Sequence, residues 1–355
     1  MRNVGGERVE EAVASAVALL RTAVDRDWEG PRAHGLEWSC RATAVHVAEC
    51  LVGYAAQLTG RAAEDYVPFE LRLEEGAGNE GALRVIEATG GLLAAVVRTT
   101  PREIRAYHSY PFRSANREGF AAMGITEVLL HTHDIARGLG LSYEPPAEVV
   151  SYALTRIFPA VRPGPAPWPT LLWATGRGEL PGRPPVTEWR WSNNLVIPGD
   201  RLTLEGVTPA AAADLGAGGG GGFAWAGNGP LEGTREGAGI VVKQYEEGVL
   251  RPEWGMFALV RREDGRAVGA MGFHGPPDEE GRVEIGYDLV EAARGHGYAT
   301  EALRALSGWA LAREDVSVVC ATTEPGNLAS QAVLDRAGFT RVAGDGEQPA
   351  YELRG

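Results

Sequence analysis

The sequence predicts two domains of different class, an all-α N-terminal half and an α/β C-terminal half. Three observations predict it. Four stretches before residue 140 carry apolar residues at helical spacing, with cap and stop signals between them. After residue 196 the apolar pattern alternates between period 2 and period 3.6. Between the two regimes, eight prolines fall within residues 159–185. We therefore assign residues 1–195 to a helical bundle closed by the Pro/Trp-rich segment, and 196–355 to the α/β domain.

A chain of 355 residues is long enough to bury two cores. Its 23% charged and 44% hydrophobic residues describe an ordinary globular protein. No run of 18 or more apolar residues occurs, so no membrane partner is expected. Met1–Glu7 lacks the apolar core of a signal peptide, and Cys40, Cys50 and Cys320 form no disulfide framework. Both point to the cytoplasm. The net charge of −13 is uneven: residues 1–200 carry 20 bases and 24 acids, residues 201–355 carry 14 and 23. That excludes a nucleic-acid partner, which needs a basic patch, and favours a cationic substrate for the second half.

The first half reads as helices over about residues 7–26, 41–58, 80–99 and 117–138. Four long helices with longish connections make a four-helix bundle. Glu127 and His131 lie four residues apart and share a helix face, while His46 sits mid-helix among Val45, Val47 and Leu51. Two histidines and one carboxylate leaving an open position form a catalytic zinc set. His133 should point away, and Asp134 could brace His131. A helical histidine on an apolar face is more often a hydrogen-bonded core residue, so spacing alone leaves both roles open. In the proline segment we expect no helix, but a small hairpin of Leu171–Thr175 and Trp189–Trp191, with its tryptophans packed.

Trp38-Ser39…His46-Val47-Ala48 together with Glu127-Val-Leu-Leu-His131-Thr-His-Asp134 resembles the DinB-like bundle of mycothiol-dependent maleylpyruvate isomerases. The resemblance covers about residues 8–150 and implies zinc held by His46, Glu127 and His131; Cys50, one turn beyond His46, is placed as a substitute ligand by its spacing.

In the second half Arg201–Val207 alternates like a strand, and Thr208-Pro209 is an N-cap with proline at the first helical position. The Gly218–Gly222 run is then a loop inside the domain. Strands follow at 257–260 and 267–273, across the turn at Glu263–Gly265. The central feature spans residues 282–301. Val283, Ile285, Tyr287 and Leu289 mark a half-buried strand, Arg294-Gly295-His296-Gly297 a turn, and Tyr298-Ala299-Thr300 the opening of a helix. Glycines admit close approach, helix-terminal N–H groups point outward, and Arg294 adds a cation, so the expected guest is a pyrophosphate. A dinucleotide fingerprint would need a third glycine where Thr300 stands, and a Walker A loop would need G-K-[ST]. Neither is present. A buried strand follows at 316–321.

Arg294, Gly297 and Ala299 match R/Q-x-x-G-x-G/A, and about 30 residues on come Asn327, Ser330 and Gly338-Phe339. This pair of motifs resembles the GNAT acetyltransferases, most of all the ribosomal-protein N-terminal (RimJ/RimL-like) branch, over residues 196–355. The resemblance implies a mixed, mostly antiparallel central sheet flanked by helices. It also implies acetyl-CoA bound by Leu289, Val290, Arg294, Gly295, His296, Gly297, Tyr298, Ala299 and Thr300, with Asn327 and Ser330 at the pantetheine arm. Many members carry a tyrosine seven residues after the asparagine as acid for the departing thiolate. Here that position is Leu334, which leaves Ser330 or a water.

Amine attack on a thioester requires a base, and Glu284, on the strand beside the cofactor, is the chosen residue. Backbone N–H groups near Leu289 and Val290 would polarise the thioester carbonyl. His274 and His296 read as exposed loop residues. The expected function is acetyl-CoA-dependent transfer to a primary amine, either a small molecule or a protein N-terminus. The alternative is zinc- and thiol-dependent isomerase or transferase chemistry in the bundle, with the second domain as a CoA-binding regulator. The bundle is left three roles: recognising substrate, forming a homodimer, or keeping separate thiol chemistry.

Overall fold

The computed structural model describes residues 4–109, 113–343 and 348–355. Met1–Asn3, at the start of the stretch read for a signal peptide, lie outside them. The chain folds as two compact units, Met1–Asn193 and Asn194–Gly355.

The first unit holds four long helices, α1 (Val4–Arg21), α2 (Cys40–Gly60), α3 (Asn79–Thr99) and α4 (Arg117–Gly138). A short antiparallel ribbon, β1 (Arg105–Tyr107) with β2 (Ser114–Asn116), joins α3 to α4. Ser39 caps α2 by accepting from the Ala42 N–H, and Asn116 caps α4 by accepting from the Gly119 N–H. Helix α4 packs on α1, α2 and α3 and is buried nearly all round, with His131, His133 and Asp134 among its buried residues. Close approach depends on glycine. A Cβ at Gly124 would lie 2.6 Å from Leu93, and one at Gly90 would lie 2.6 Å from Val13. Helix α1 stops at Arg21, short of the expected residue 26, so Val24 falls in the turn that follows.

The proline segment departs from expectation. After α5 (Ala147–Ile157), residues Pro167–Ala174 form a helix, α6, and Trp189–Trp191 is not a strand. Pro167 and Pro169 occupy the first turn of α6, where backbone N–H groups have no intrahelical partner to lose. Proline density is therefore compatible with a helix when the prolines stand at its start. The tryptophans do pack: Trp189 lies against Phe158 and Trp191, and Trp191 against His108.

The second unit is built on β3 (Val196–Pro198), β4 (Leu202–Gly206), β5 (Met256–Arg261), β6 (Ala267–Phe273), β7 (Arg282–Leu289), β8 (Val318–Thr322), β9 (Thr340–Val342) and β10 (Ala350–Arg354). Their order in one sheet is β3-β4-β5-β6-β7-β8-β10-β9. Each pairing is antiparallel except β7–β8. Helices α7 (Pro209–Gly216), α8 (Glu232–Glu247), α9 (Tyr298–Leu311) and α10 (Leu328–Ala337) flank it. Thr208 caps α7 through the Ala211 N–H, with Pro209 at its first position. Asp288 of β7 bonds Thr234 of α8, while its neighbour Tyr287 bonds Ser330 of α10. Successive strand residues point to opposite faces, so α8 and α10 cover opposite faces of the sheet. Among the described residues no helix is long and apolar enough to cross a membrane.

Candidate active site

The parallel pair β7–β8 opens. Their register runs from Arg282↔Val318 to Glu284↔Cys320 and ends, while β7 continues to Leu289. Beyond Glu284 the sheet is therefore a cleft, and its mouth faces the N-terminus of α9. A cavity of about 710 Å³ occupies this place, lined by Leu289, Arg294, Gly295, Gly297, Tyr298, Ala299, Thr300, Asn327 and Ser330. Val290 and His296 do not line it.

The loop geometry follows from residue type. Gly295 and Gly297 have φ of 77° and 79°, left-handed values that cost other residues about 1–2 kcal/mol. They turn the chain so that α9 begins at Tyr298 with no side chain capping it, which leaves its first N–H groups free for an anion. Glu301 anchors the turn by accepting from the Arg201 and Leu202 N–H groups at 2.7 and 3.0 Å, and from the Arg201 guanidinium. Arg201 also covers the Tyr298 ring. Arg294 bends back to donate to the Leu289 carbonyl at 3.2 Å. His296 is exposed, bonds the Arg294 carbonyl and stacks on Tyr298. Thr300 lines the wall, but its hydroxyl is buried away from the cavity and has no protein partner.

Asn327 caps α10 by accepting from the Ser330 N–H at 3.0 Å. Ser330 Oγ lies 2.8 Å from the Tyr287 hydroxyl. Leu334 is fully buried and offers nothing to the cleft. The sequence reading missed Tyr287 as a site residue. Its place in the alternating pattern marked it as a core-facing strand position, and nothing local says that β8 departs there. Burial raises the Tyr287 pKa, so its hydroxyl keeps its proton at neutral pH.

Two expectations are corrected. The Val290 N–H bonds the Val268 carbonyl at 3.0 Å and is not free to polarise a thioester. Along a strand successive N–H groups point to opposite edges, so Leu289 presents its own toward the side that β8 has left. Glu284 stands where β7 and β8 are still paired, and it does not line the 710 Å³ cavity. Its carboxylate is engaged by Thr322 Oγ1 at 2.9 Å and His274 Nδ1 at 3.2 Å.

On the α8 face a second cavity of about 250 Å³ is lined by Gly233, Gly237, Val241, Met271, Phe273, His274 and Gly286. Tyr287 and Asp288 border both cavities, so the two meet along β7.

In the first unit the sequence-selected trio comes together: ligand atoms of His46, Glu127 and His131 all lie within 4.8 Å of one another. His131 Nε2 is 3.2 Å and His46 Nε2 4.0 Å from Glu127 Oε2, and Tyr54 donates to Glu127 Oε1 at 3.3 Å. His131 Nδ1 meets Asp134 Oδ2 at 3.2 Å, and Arg177 donates to the same carboxylate. Burial opposes charge on His131, but the bonds to Asp134 and Glu127 outweigh it and raise its pKa to about 9. Burial lowers that of His46, and raises that of Cys50 well above its ordinary value. Cys50 Sγ lies 3.4 Å from His46 Nε2. His133 points elsewhere, against Trp168. Arg177 carried no sequence signal, since it arrives from the loop after α6.

The second unit thus brings an open parallel strand pair, a glycine turn and an uncapped helix together in one cleft. Residues 201–340 match the family model of the acetyltransferase (GNAT) domain, and the second unit is a GNAT acetyltransferase domain. The chain is 43% identical over 81 residues to the uncharacterized N-acetyltransferase YjdG of Bacillus subtilis, a match covering 23% of this chain and 48% of that protein. It is 32% identical over 85 residues to the uncharacterized N-acetyltransferase p20 of Bacillus licheniformis, covering 24% and 48%. The chain thus spans about half the length of the curated relatives it matches. Among solved structures, a GNAT-family acetyltransferase from Bacillus anthracis aligns with a TM-score of 0.32 at 19% identity, covering 45% of this chain and 98% of that one. RimL, the ribosomal L7/L12 α-N-protein acetyltransferase, in complex with coenzyme A, aligns with a TM-score of 0.34 at 18% identity, covering 45% and 98%.

Proposed function

We propose that the chain is an acetyl-CoA-dependent N-acetyltransferase that passes acetyl to a primary amine by direct attack on the thioester. The observation that carries this reading is the uncapped N-terminus of α9 behind Gly295 and Gly297, opening on the cleft where β7 and β8 part. The pyrophosphate would lie on the α9 N–H groups beside Arg294, the pantetheine arm between β7 and α10 near Asn327, and the thioester beside Leu289. The Leu289 N–H would polarise the carbonyl. The bonded hydroxyls of Tyr287 and Ser330 would return a proton to the departing thiolate. The two cavities meeting along β7 support a direct transfer, with the amine approaching from the α8 side. A cavity of about 250 Å³ suits a small amine or the end of a peptide, and the acidic balance of this half favours a cation.

Calorimetric titration of the purified protein with acetyl-CoA tests the donor site. Micromolar binding that is lost in Gly297→Glu supports it; no binding by the wild type defeats it.

One observation favours a second activity in the first unit. The clustering of His46, Glu127 and His131 suits a divalent cation: two imidazoles and a carboxylate are zinc donors, the metal would displace the proton His131 otherwise keeps, and Asp134 with Arg177 fixes the His131 ring. Zinc held there would supply Lewis-acid activation of a thiol or a carbonyl. In this alternative the bundle is a thiol-dependent isomerase or transferase and the GNAT domain a CoA-binding regulator. Both readings predict binding of acetyl-CoA, so loss of activity separates them: Arg294→Ala should abolish amine acetylation, and His46→Ala the thiol-dependent activity.

A further inference from the structure

Resting on the acetyl-transfer reading, we propose that His274 is the general base of the reaction and that Glu284 is its positioning residue. His274 follows the end of β6 and is held from three sides. Its N–H donates to the Glu284 carbonyl at 3.0 Å, and its carbonyl accepts from Gln244 of α8 at 3.2 Å. Its Nδ1 meets Glu284 Oε2 at 3.2 Å. The other carboxylate oxygen is occupied by Thr322, so Glu284 cannot rotate freely.

A carboxylate on Nδ1 selects the tautomer that carries its proton there and leaves the Nε2 lone pair open. That nitrogen hangs over Gly286, where a Cβ would lie 3.0 Å from it. Gly286 has no side chain, so the imidazole can lean across the strand into the smaller cavity. Gly286 precedes Tyr287 and Asp288, the residues that border both cavities. The base thus stands on the acceptor side and the hydroxyl pair on the donor side of one strand.

The step balances without another reactant. As the amine nitrogen bonds the acetyl carbon, its proton passes to His274 Nε2. The C–S bond breaks, the thiolate takes a proton from the Tyr287–Ser330 pair, and the proton on His274 returns to that pair through solvent. Other titratable or charged groups around the imidazole are Asp288 on the same strand face, Glu236 of α8 across the cavity, and Asp278, Arg282, the neutral Cys320 thiol and Glu352 in the adjoining cleft. Among the described residues only Glu284 bonds the ring. That bond raises the His274 pKa above its ordinary 6.5, partly offset by burial.

The test uses full-length protein and two readouts. In ¹⁵N imidazole spectra His274, assigned with His274→Gln, should show the Nδ1–H tautomer and a pKa that falls in Glu284→Gln; an Nε2–H tautomer overturns the inference. With acetyl-CoA and the fastest acceptor from a panel of small primary amines and free-N-terminal tripeptides, His274→Gln should lower kcat/KM about a hundredfold or more. Acetyl-CoA affinity should be unchanged, and added imidazole should restore rate to His274→Gly. In Glu284→Gln the acid limb of kcat/KM should move to lower pH. Full activity in His274→Gln overturns the inference, as does acetyl-CoA binding without turnover of any amine. Absence of acetyl-CoA binding by the wild type instead removes the donor-site reading on which the inference rests.

Discussion

The hydroxyl of Tyr287 lies 2.8 Å from Oγ of Ser330, joining β7 to α10 across the mouth of the cleft. This pair puts a protonated phenol where Leu334 cannot supply one. Tyr287→Phe should lower kcat by about ten- to a hundredfold with little change in acetyl-CoA affinity, and Ser330→Ala should lower it less. The double variant should cost little more than Tyr287→Phe, because the two hydroxyls act as a unit. Steady-state kinetics beside calorimetry checks this, and full additivity would refute it.

Thr300 offers a test of packing in the cleft wall. Its buried hydroxyl has no protein partner, so Thr300→Val removes an unmet polar group. The melting temperature should hold or rise, with acetyl-CoA affinity unchanged. A clear fall in melting temperature on thermal scans would show that the hydroxyl has a bonding role.

For the helical unit, metal analysis of protein purified without chelator should give close to one equivalent of zinc, lost in His46→Ala and in His131→Ala. Arg177→Ala touches none of the three donors, yet it frees Asp134 and should weaken zinc about 10- to 100-fold. Competition with a chromophoric chelator measures it. Zinc content untouched by His131→Ala would end the metal assignment.

Acid should destabilise the same unit. Burial alone would raise the Asp134 pKa, but bonds from His131 and Arg177 outweigh it and hold the carboxyl below its ordinary 3.8. A depressed carboxyl contributes stability above its unfolded pKa, and that stability is lost as pH falls through the folded value. Asp134→Asn should therefore cost about 3 kcal/mol near pH 7, since it leaves the buried His131 and half-buried Arg177 cations uncompensated. The gap to wild type should narrow below pH 3.8. Denaturant melts at both pH values decide it; a gap that does not depend on pH would show that Asp134 acts by packing alone.

Much of the site was legible because its parts are local. The Gly295–Gly297 turn, the start of α9 and the Thr208-Pro209 cap are each set by neighbouring residues, and the structure places them where the pattern does. The Glu127–His131 spacing likewise needs only helical periodicity. The misjudged parts depend on partners far along the chain. Glu284 looked free because its own strand could not reveal Thr322 and His274 around it. Val290 looked like a donor until β6 claimed its N–H. The proline segment was misread for another reason: the count of prolines outweighed their position at a helix start.

The sequence by itself determined two regimes of periodicity, the glycine-turn cradle and which residues could be ligands, because those properties act over a turn of helix or a pair of strands. Tertiary structure alone decided that β8 leaves β7 after Glu284, turning a continuous strand into a cleft wall with Tyr287 on one face and Gly286 under His274 on the other. It also decided that α2 delivers His46 to Glu127 and His131. The physical reason is common to both. Where a side chain can do chemistry is fixed by which distant backbone groups have been consumed in pairing and which cavities the packing leaves open.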